Sequence, residues 1–205
     1  MTNTTHTAEE NLAFLRQLAH AGQEAPLMAG PYLIAGGAWF GAASIVQWPL
    51  LRNLLGLSFG QATLAWLVAA AGFAIHLALL IRRGRHRVEN SANRVVNAAW
   101  TGVGLGIFAF WLGVAAMAWQ RSDGFVMNTI SLQVLTVYGI AWIIAGAATG
   151  QGWMKANAFF ALLTVPVLGM FVGTGHEYLI YAIALVLTAI VPGVRLSRLA
   201  QQDRG

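Results

Sequence analysis

The sequence predicts an all-α polytopic membrane protein: six transmembrane helices preceded by a short amphipathic N-terminal helix. Three observations carry this. Of 205 residues 58% are hydrophobic and only 9% are charged, against about 25% charged in a typical soluble domain. The charges fall in clusters that leave six uninterrupted charge-free stretches, residues 25–51, 53–81, 95–120, 124–154, 156–176 and 178–194. The 23 glycines and eight tryptophans suit helices packed closely in lipid with aromatic side chains near its surfaces. The same composition excludes intrinsic disorder, which needs a charge-rich, apolar-poor chain. With no cysteine there is no disulfide framework, no thiolate nucleophile and no thiolate-ligated metal.

Residues 1–27 read as a cytoplasmic or interfacial amphipathic leader. They lack the basic start and apolar core of a signal peptide. Thr7 and Glu10 fit a capping box, in which each side chain satisfies a backbone amide at the helix start. Leu12, Leu15 and Ala19 form an apolar stripe beside Leu18. Gly22 supplies a stop, and Pro26 prevents resumption before the membrane.

The six spans follow by length. A hydrocarbon core of roughly 30 Å takes about 20 helical residues, with about 17 as a lower limit. Trimming the charge-free stretches at interfacial residues puts the spans at 28–50, 62–81, 95–119, 126–149, 156–173 and 178–194, leaving 195–205 as a short cytoplasmic tail. A membrane β-barrel is disfavoured, because it requires alternating segments of about 10 residues rather than continuous apolar runs.

Orientation is set by the twelve Lys and Arg residues, which are retained on the cytoplasmic side of short loops. Both termini inside places Arg16, Arg82, Arg83, Arg85, Arg87, Arg94, Lys155, Arg195, Arg198 and Arg204 in the cytoplasm, with Arg52 and Arg121 outside. The net charge of +5 is absorbed by this rule. No nucleic-acid partner is expected, since no stacking aromatics interleave the basic run 82–87.

Ionisable and polar residues within a span are the default places to look for function. His76 is the one ionisable group in the predicted spans. By rise per residue it sits at a depth similar to Thr101 on the third helix, so a His76–Thr101 hydrogen bond is expected, with Asn97 on the same face. The fourth helix carries Thr129, Gln133 and Thr136 at helical spacing on one face, and these should bond across the bundle or wet an outward cavity, the former first. No carboxylate or second histidine accompanies His76 in the spans, which favours a structural imidazole over a proton relay. Haem held by two histidines would require such a partner at matching depth, and no cofactor is expected.

Glycines four residues apart, at 37 and 41, 102 and 106, 146 and 150, and 169 and 173, point to close helix packing within the chain or between chains. Pro166, placed midway along the fifth span, and Pro192, near the inner end of the sixth, each free a backbone carbonyl and should kink their helices. Trp48, Trp66 and Trp119 mark the outer surface and Trp153 the inner one. Trp39, Trp111 and Trp142 lie deeper, as bulky packing against glycine faces.

No catalytic constellation is found: no GxSxG, HExxH or Walker A pattern, and Gly102, Gly104 and Gly106 lie inside a span rather than after a strand. His176 and Glu177 adjoin each other in an outer loop without a nucleophile or second acid nearby. The opening Pro31-Tyr32-Leu33 of the first span, the string Tyr138-Gly139-Ile140-Ala141-Trp142 and the ending Val191-Pro192-Gly193-Val194 resemble a group of small uncharacterised bacterial six-span integral membrane proteins. That resemblance implies a bacterial inner-membrane location and carries no catalytic residue over. The expectation is a non-enzymatic protein of the inner membrane whose partners are the lipid bilayer and itself or other membrane proteins. The alternative is a channel or transporter for a small neutral or weakly charged solute, lined by His76, Thr129, Gln133 and Thr136.

Overall fold

The computed structural model describes residues 10, 13, 29–52, 54, 59–84, 91–122 and 124–202. The expected leader helix over 1–27, with its capping box and stripe, lies outside them apart from Glu10 and Ala13. All regular structure among the described residues is helical: α1 (Gly30–Leu51), α2 (Phe59–Gly84), α3 (Ser91–Arg121), a 3-10 turn (Phe125–Thr129), α4 (Ile130–Thr149), α5 (Gly152–Gly169), α6 (His176–Leu185), a π-helical turn (Val186–Ile190) and α7 (Val191–Gln202). The last three run on as one rod, His176–Gln202. Among the described residues, five helical stretches are long and apolar enough to cross a membrane: Gly30–Leu50, Leu64–Arg83, Ala92–Arg121, Phe125–Thr149 and His176–Gln202.

Local chemistry explains the boundaries. Pro31 sits at the start of α1, where its missing N–H is one that no intrahelical acceptor would use. Gly150, at φ 70°, caps α4 in the left-handed conformation that a side chain resists. Gly173 is at φ 83°, and a Cβ there would lie 2.7 Å from the Phe125 ring, so that turn needs glycine for conformation and for space. At about 1.5 Å per residue the 31-residue α3 is some 46 Å long, well beyond a hydrocarbon core.

The helices divide into a packed group and two peripheral members. About half of the most apolar stretch of α1, of α4 and of the α6–α7 rod is buried, compared with 6% for α2 and 11% for α3. Helix α1 runs antiparallel to the rod: Gly30 faces Gly193 and Ser197, Gly37 faces Ala189 and Ile190, and Arg52 reaches His176. Helices α4 and α5 are likewise antiparallel, with Gly139 against Leu162, Gly146 against Met154 and Lys155, and Gly169 near Leu132. One core gathers Leu135, Tyr138, Leu168, Tyr181, Leu185 and Ala189. A second gathers Leu33, Val96, Trp142, Met154 and Leu196.

Helix α2 rests on α1, with Trp39 over Gly72 and the Phe40 ring 5.4 Å from that of Phe73. Helix α3 rests on α4, the Trp100 ring meeting Tyr138 and Trp142 edge-on at 5.2 and 5.5 Å. Elsewhere both helices turn large apolar side chains outward, among them Leu64, Leu67, Ile75, Leu105, Phe108 and Leu112. In water such an arrangement is costly, whereas lipid tails solvate it at no penalty.

Two sequence expectations change here. Pro166 lies in the last turn of α5 rather than midway along it, because α5 starts and ends about four residues earlier than its predicted span. Pro192 is accommodated by the π turn just before it, and the helix continues to Gln202, through most of the segment expected to be a tail.

Candidate functional site

The residues singled out from the sequence do not assemble into one site. His76 is exposed on α2. The Thr101 hydroxyl donates to Asn97 O at 2.8 Å, on its own helix, so it does not make the expected bond to His76. The reason is architectural: α2 and α3 pack on different helices, α1 and α4, so equal depth does not bring His76 and Thr101 face to face.

The outer stripe behaves similarly. Thr129 donates to Val126 O at 2.7 Å and Thr136 to Leu132 O at 2.8 Å, each satisfied by the preceding turn rather than across the bundle. Gln133 is half-buried and its Oε1 has no hydrogen-bond partner. The buried face of α4 carries Val134, Leu135, Tyr138, Ala141 and Trp142 instead. At 100° per residue Thr129, Gln133 and Thr136 share a side with exposed Ile140, turned away from that face.

The polar contacts that do join helices centre on the rod. Pro192 has no N–H, so Thr188 O, four residues earlier, loses its normal helical donor. Trp142 Nε1 on α4 supplies one at 3.0 Å. Asn157 on α5 completes the junction and fits in two orientations. In one, Nδ2 donates to Thr188 O at 3.3 Å. Turned over, its Oδ1 accepts from Trp142 Nε1 at 2.9 Å and its Nδ2 donates to Leu187 O at 3.3 Å, which satisfies both ends of the amide. Either way one buried indole and one amide tie α4, α5 and the π turn together.

At the other end of the rod, Tyr178 Oη donates to Asn128 Oδ1 at 2.8 Å, joining α6 to the 3-10 turn. Arg52 and His176 meet at 2.6 Å. An arginine can only donate, so imidazole Nε2 is the acceptor and the ring proton sits on Nδ1. Glu177 is only 1% exposed. Its Oε1 accepts from Gly173 N at 3.1 Å, while its Oε2 has no partner. A carboxylate in the first turn of α6 also faces the positive end of the helix dipole.

Sequence reasoning left Glu177 in a loop and so missed a buried carboxylate. The available signal was the periodicity of Glu177, Tyr181, Ala184 and Thr188, which places the acid on the stripe that faces the core. Among the described residues no three His, Asp or Glu side chains gather into a group that could hold a metal ion. The tryptophans are partly as expected: Trp39 covers Gly72, whereas Trp111 is exposed and stacks on Phe108 rather than on a glycine face. Comparison with known proteins finds no matching family model, curated protein or solved structure.

The glycines sort into two kinds. A Cβ on Gly37, Gly72, Gly139, Gly146 or Gly193 would collide with a neighbouring helix, so these positions are used for packing inside the chain. Gly102, Gly104, Gly106 and Gly113, all on α3, have nothing within 4 Å of that position. Gly102, Gly106 and Gly113 fall on one side of α3 at 100° per residue, so an uncovered glycine surface lies on a helix that the fold leaves largely open.

Proposed function

We propose that this chain is a non-enzymatic integral protein of the bacterial inner membrane that acts by packing against itself or against other membrane proteins. The supporting observation is the uncovered glycine surface of α3. Backbones approach closely where glycine and alanine line an interface, and in lipid such approach is a main source of helix association. Gly30, Gly37 and Gly193 are consumed between α1 and the rod, Gly72 between α1 and α2, and Gly139 and Gly146 between α4 and α5. The polar residues of the alternative reading are dispersed, with His76 on the outside of α2 and the hydroxyls of Thr129 and Thr136 bonded to their own helix, which favours packing over a solute route.

The same reading takes the chain across the bilayer six times with both termini in the cytoplasm. Helix α5 is the crossing that composition supports least, since Lys155 and Asn157 lie in its first turns. Its support is the antiparallel fit along the whole of α4, from Gly146 to Leu132. If α4 crosses, α5 returns beside it.

The chain has no cysteine, so single cysteines introduced at Gly102, Gly106 or Gly113 report directly on that surface. Cross-linking in native membranes should trap a dimer or one defined partner from these positions and not from Ile143, on α4. Labelling by lipid-soluble maleimide alone, with no protein adduct, would overturn the proposal.

A further inference from the structure

The rod ends in a second open feature that the packing function does not use. Helix α7 presents one side to α1, burying Pro192, Gly193 and Leu196. Its other side is a shallow open groove of about 380 Å³ lined by Ile190, Val191, Val194, Arg195, Arg198 and Leu199, among others, all on this one rod. The groove is graded along its length. The half nearer the bundle is apolar, with Val191 54% exposed. One turn on, the exposed Arg195 and Arg198 form its rim.

Arg195 is held rather than free to roam: its guanidinium carbon lies 4.4 Å from the centroid of the Trp153 ring. A cation–π contact draws on the charge and leaves the planar fork of N–H donors for an oxyanion. Among the described residues the surroundings share the sign. Arg82, Arg83, Arg94 and Lys155 are exposed at the same end of the bundle, while of the two acids among the described residues Glu177 lies at the opposite end and Glu10 in the leader.

We propose that this groove binds one anionic phospholipid, its phosphate between Arg195 and Arg198 and part of an acyl chain along Val191 and Val194. Apolar surface leading directly to two arginines at the membrane boundary matches a lipid in its own orientation, tail toward the bundle and headgroup at the rim. A free anion would use the arginines and leave the apolar half without an occupant. A peptide partner would have to reach a surface that lipid already covers. The inference rests on the membrane-spanning reading above.

The test uses the full chain, purified in detergent, stripped of lipid and titrated with phosphatidylglycerol, phosphatidylcholine or inorganic phosphate while bound lipid is counted by native mass spectrometry. Each arginine near a charged surface contributes about fivefold, so the preference for phosphatidylglycerol over phosphatidylcholine should be roughly thirtyfold. Arg195→Gln with Arg198→Gln should abolish it, and Arg82→Gln with Arg83→Gln should keep it. Val194→Trp, which fills the apolar half, should weaken both lipids while the arginines remain.

Equal retention of the two lipids, a preference that survives the Arg195/Arg198 pair, or competition by inorganic phosphate at the concentration of the lipid would each overturn the site. Failure of the membrane reading is distinguishable, because the chain would then stay monodisperse without detergent.

Discussion

The indole N–H of Trp142 donates to the carbonyl of Thr188 at 3.0 Å, and Thr188 is the residue whose helical donor Pro192 removes. A helix defect on one element is thus repaired by a side chain from another. The repair explains why the π turn sits where three helices meet: a buried carbonyl without a donor would be costly in lipid, and a neighbour that satisfies it also fixes the register of α4 against the rod.

Trp142→Phe keeps the ring and removes the donor. It should destabilise the protein by about 1 kcal/mol, in line with interhelical hydrogen bonds in membranes. Pro192→Ala restores an N–H that can reach Thr188 O within the helix. The double variant should therefore be more stable than the two single effects predict, by most of that 1 kcal/mol. Unfolding titrations in mixed micelles measure the cycle, and strict additivity would show that Thr188 O is not the shared acceptor.

The two kinds of glycine should respond oppositely to the same substitution. A methyl at Gly193 would lie 2.8 Å from Gly30 O and 3.2 Å from Ile34 N, both backbone atoms of α1 that cannot rotate away. Gly193→Ala should cost about 1–3 kcal/mol as α1 and α7 are forced apart. Gly102→Ala meets nothing and gains helix propensity of up to about 1 kcal/mol, so the isolated chain should be unchanged or slightly more stable. Larger side chains at Gly102 and Gly106 should lower self-association or partner capture without lowering stability. Thermal unfolding and cross-linking yield, read on the same samples, separate these effects.

Much of the architecture is legible in the sequence because charge placement and glycine content act over whole helices. The charge-free runs bounded by Arg52, Arg82, Arg94, Arg121, Lys155, Glu177 and Arg195 each hold the body of one helix, since a charge in hydrocarbon is costly wherever the helix packs. Which helix touches which is not legible in this way. His76 and Thr101 have equal depth on consecutive helices, yet α2 and α3 belong to different neighbours, and depth carries no information about azimuth. Hydroxyls are equally silent, because Thr101, Thr129 and Thr136 can all satisfy themselves on the preceding turn. Glu177 was hidden by its charge, which reads as a loop residue. Its place on the core stripe is readable from the periodicity, whereas the Gly173 N–H that its carboxylate accepts is a feature of the turn.

Glu177 should tolerate loss of charge better than loss of its acceptor. Glu177→Gln keeps an oxygen for Gly173 N and should change stability by less than about 1 kcal/mol. Glu177→Ala removes the charged acceptor of that part-buried N–H and should cost about 1–3 kcal/mol, with the effect concentrated at the start of α6. Hydrogen exchange at residues 173–178 provides the local reading. An equal penalty for Gln and Ala would assign the role to the charge instead of the hydrogen bond.

Six crossings and five crossings differ in where α5 leaves its ends. With both termini inside and α5 spanning, Ser58 and Thr174 lie outside, while Glu89 and Gln151 lie in the cytoplasm. A periplasm-active reporter fused after Ser58 or Thr174 should work, and one fused after Glu89 or Gln151 should not. The physical stake is Lys155: at the inner end of a spanning α5 its amine extends to the headgroups with its stem along Gly146, whereas an α4–α5 hairpin entering from the outside would leave it no such exit from hydrocarbon. Silence after both Gln151 and Thr174 would remove the fifth crossing alone, whereas activity after both would remove the fourth and fifth together and make α4 and α5 a hairpin dipping in from the outer surface. Activity after Glu89 would invert the whole molecule, moving the rim of Arg195 and Arg198 to the other leaflet.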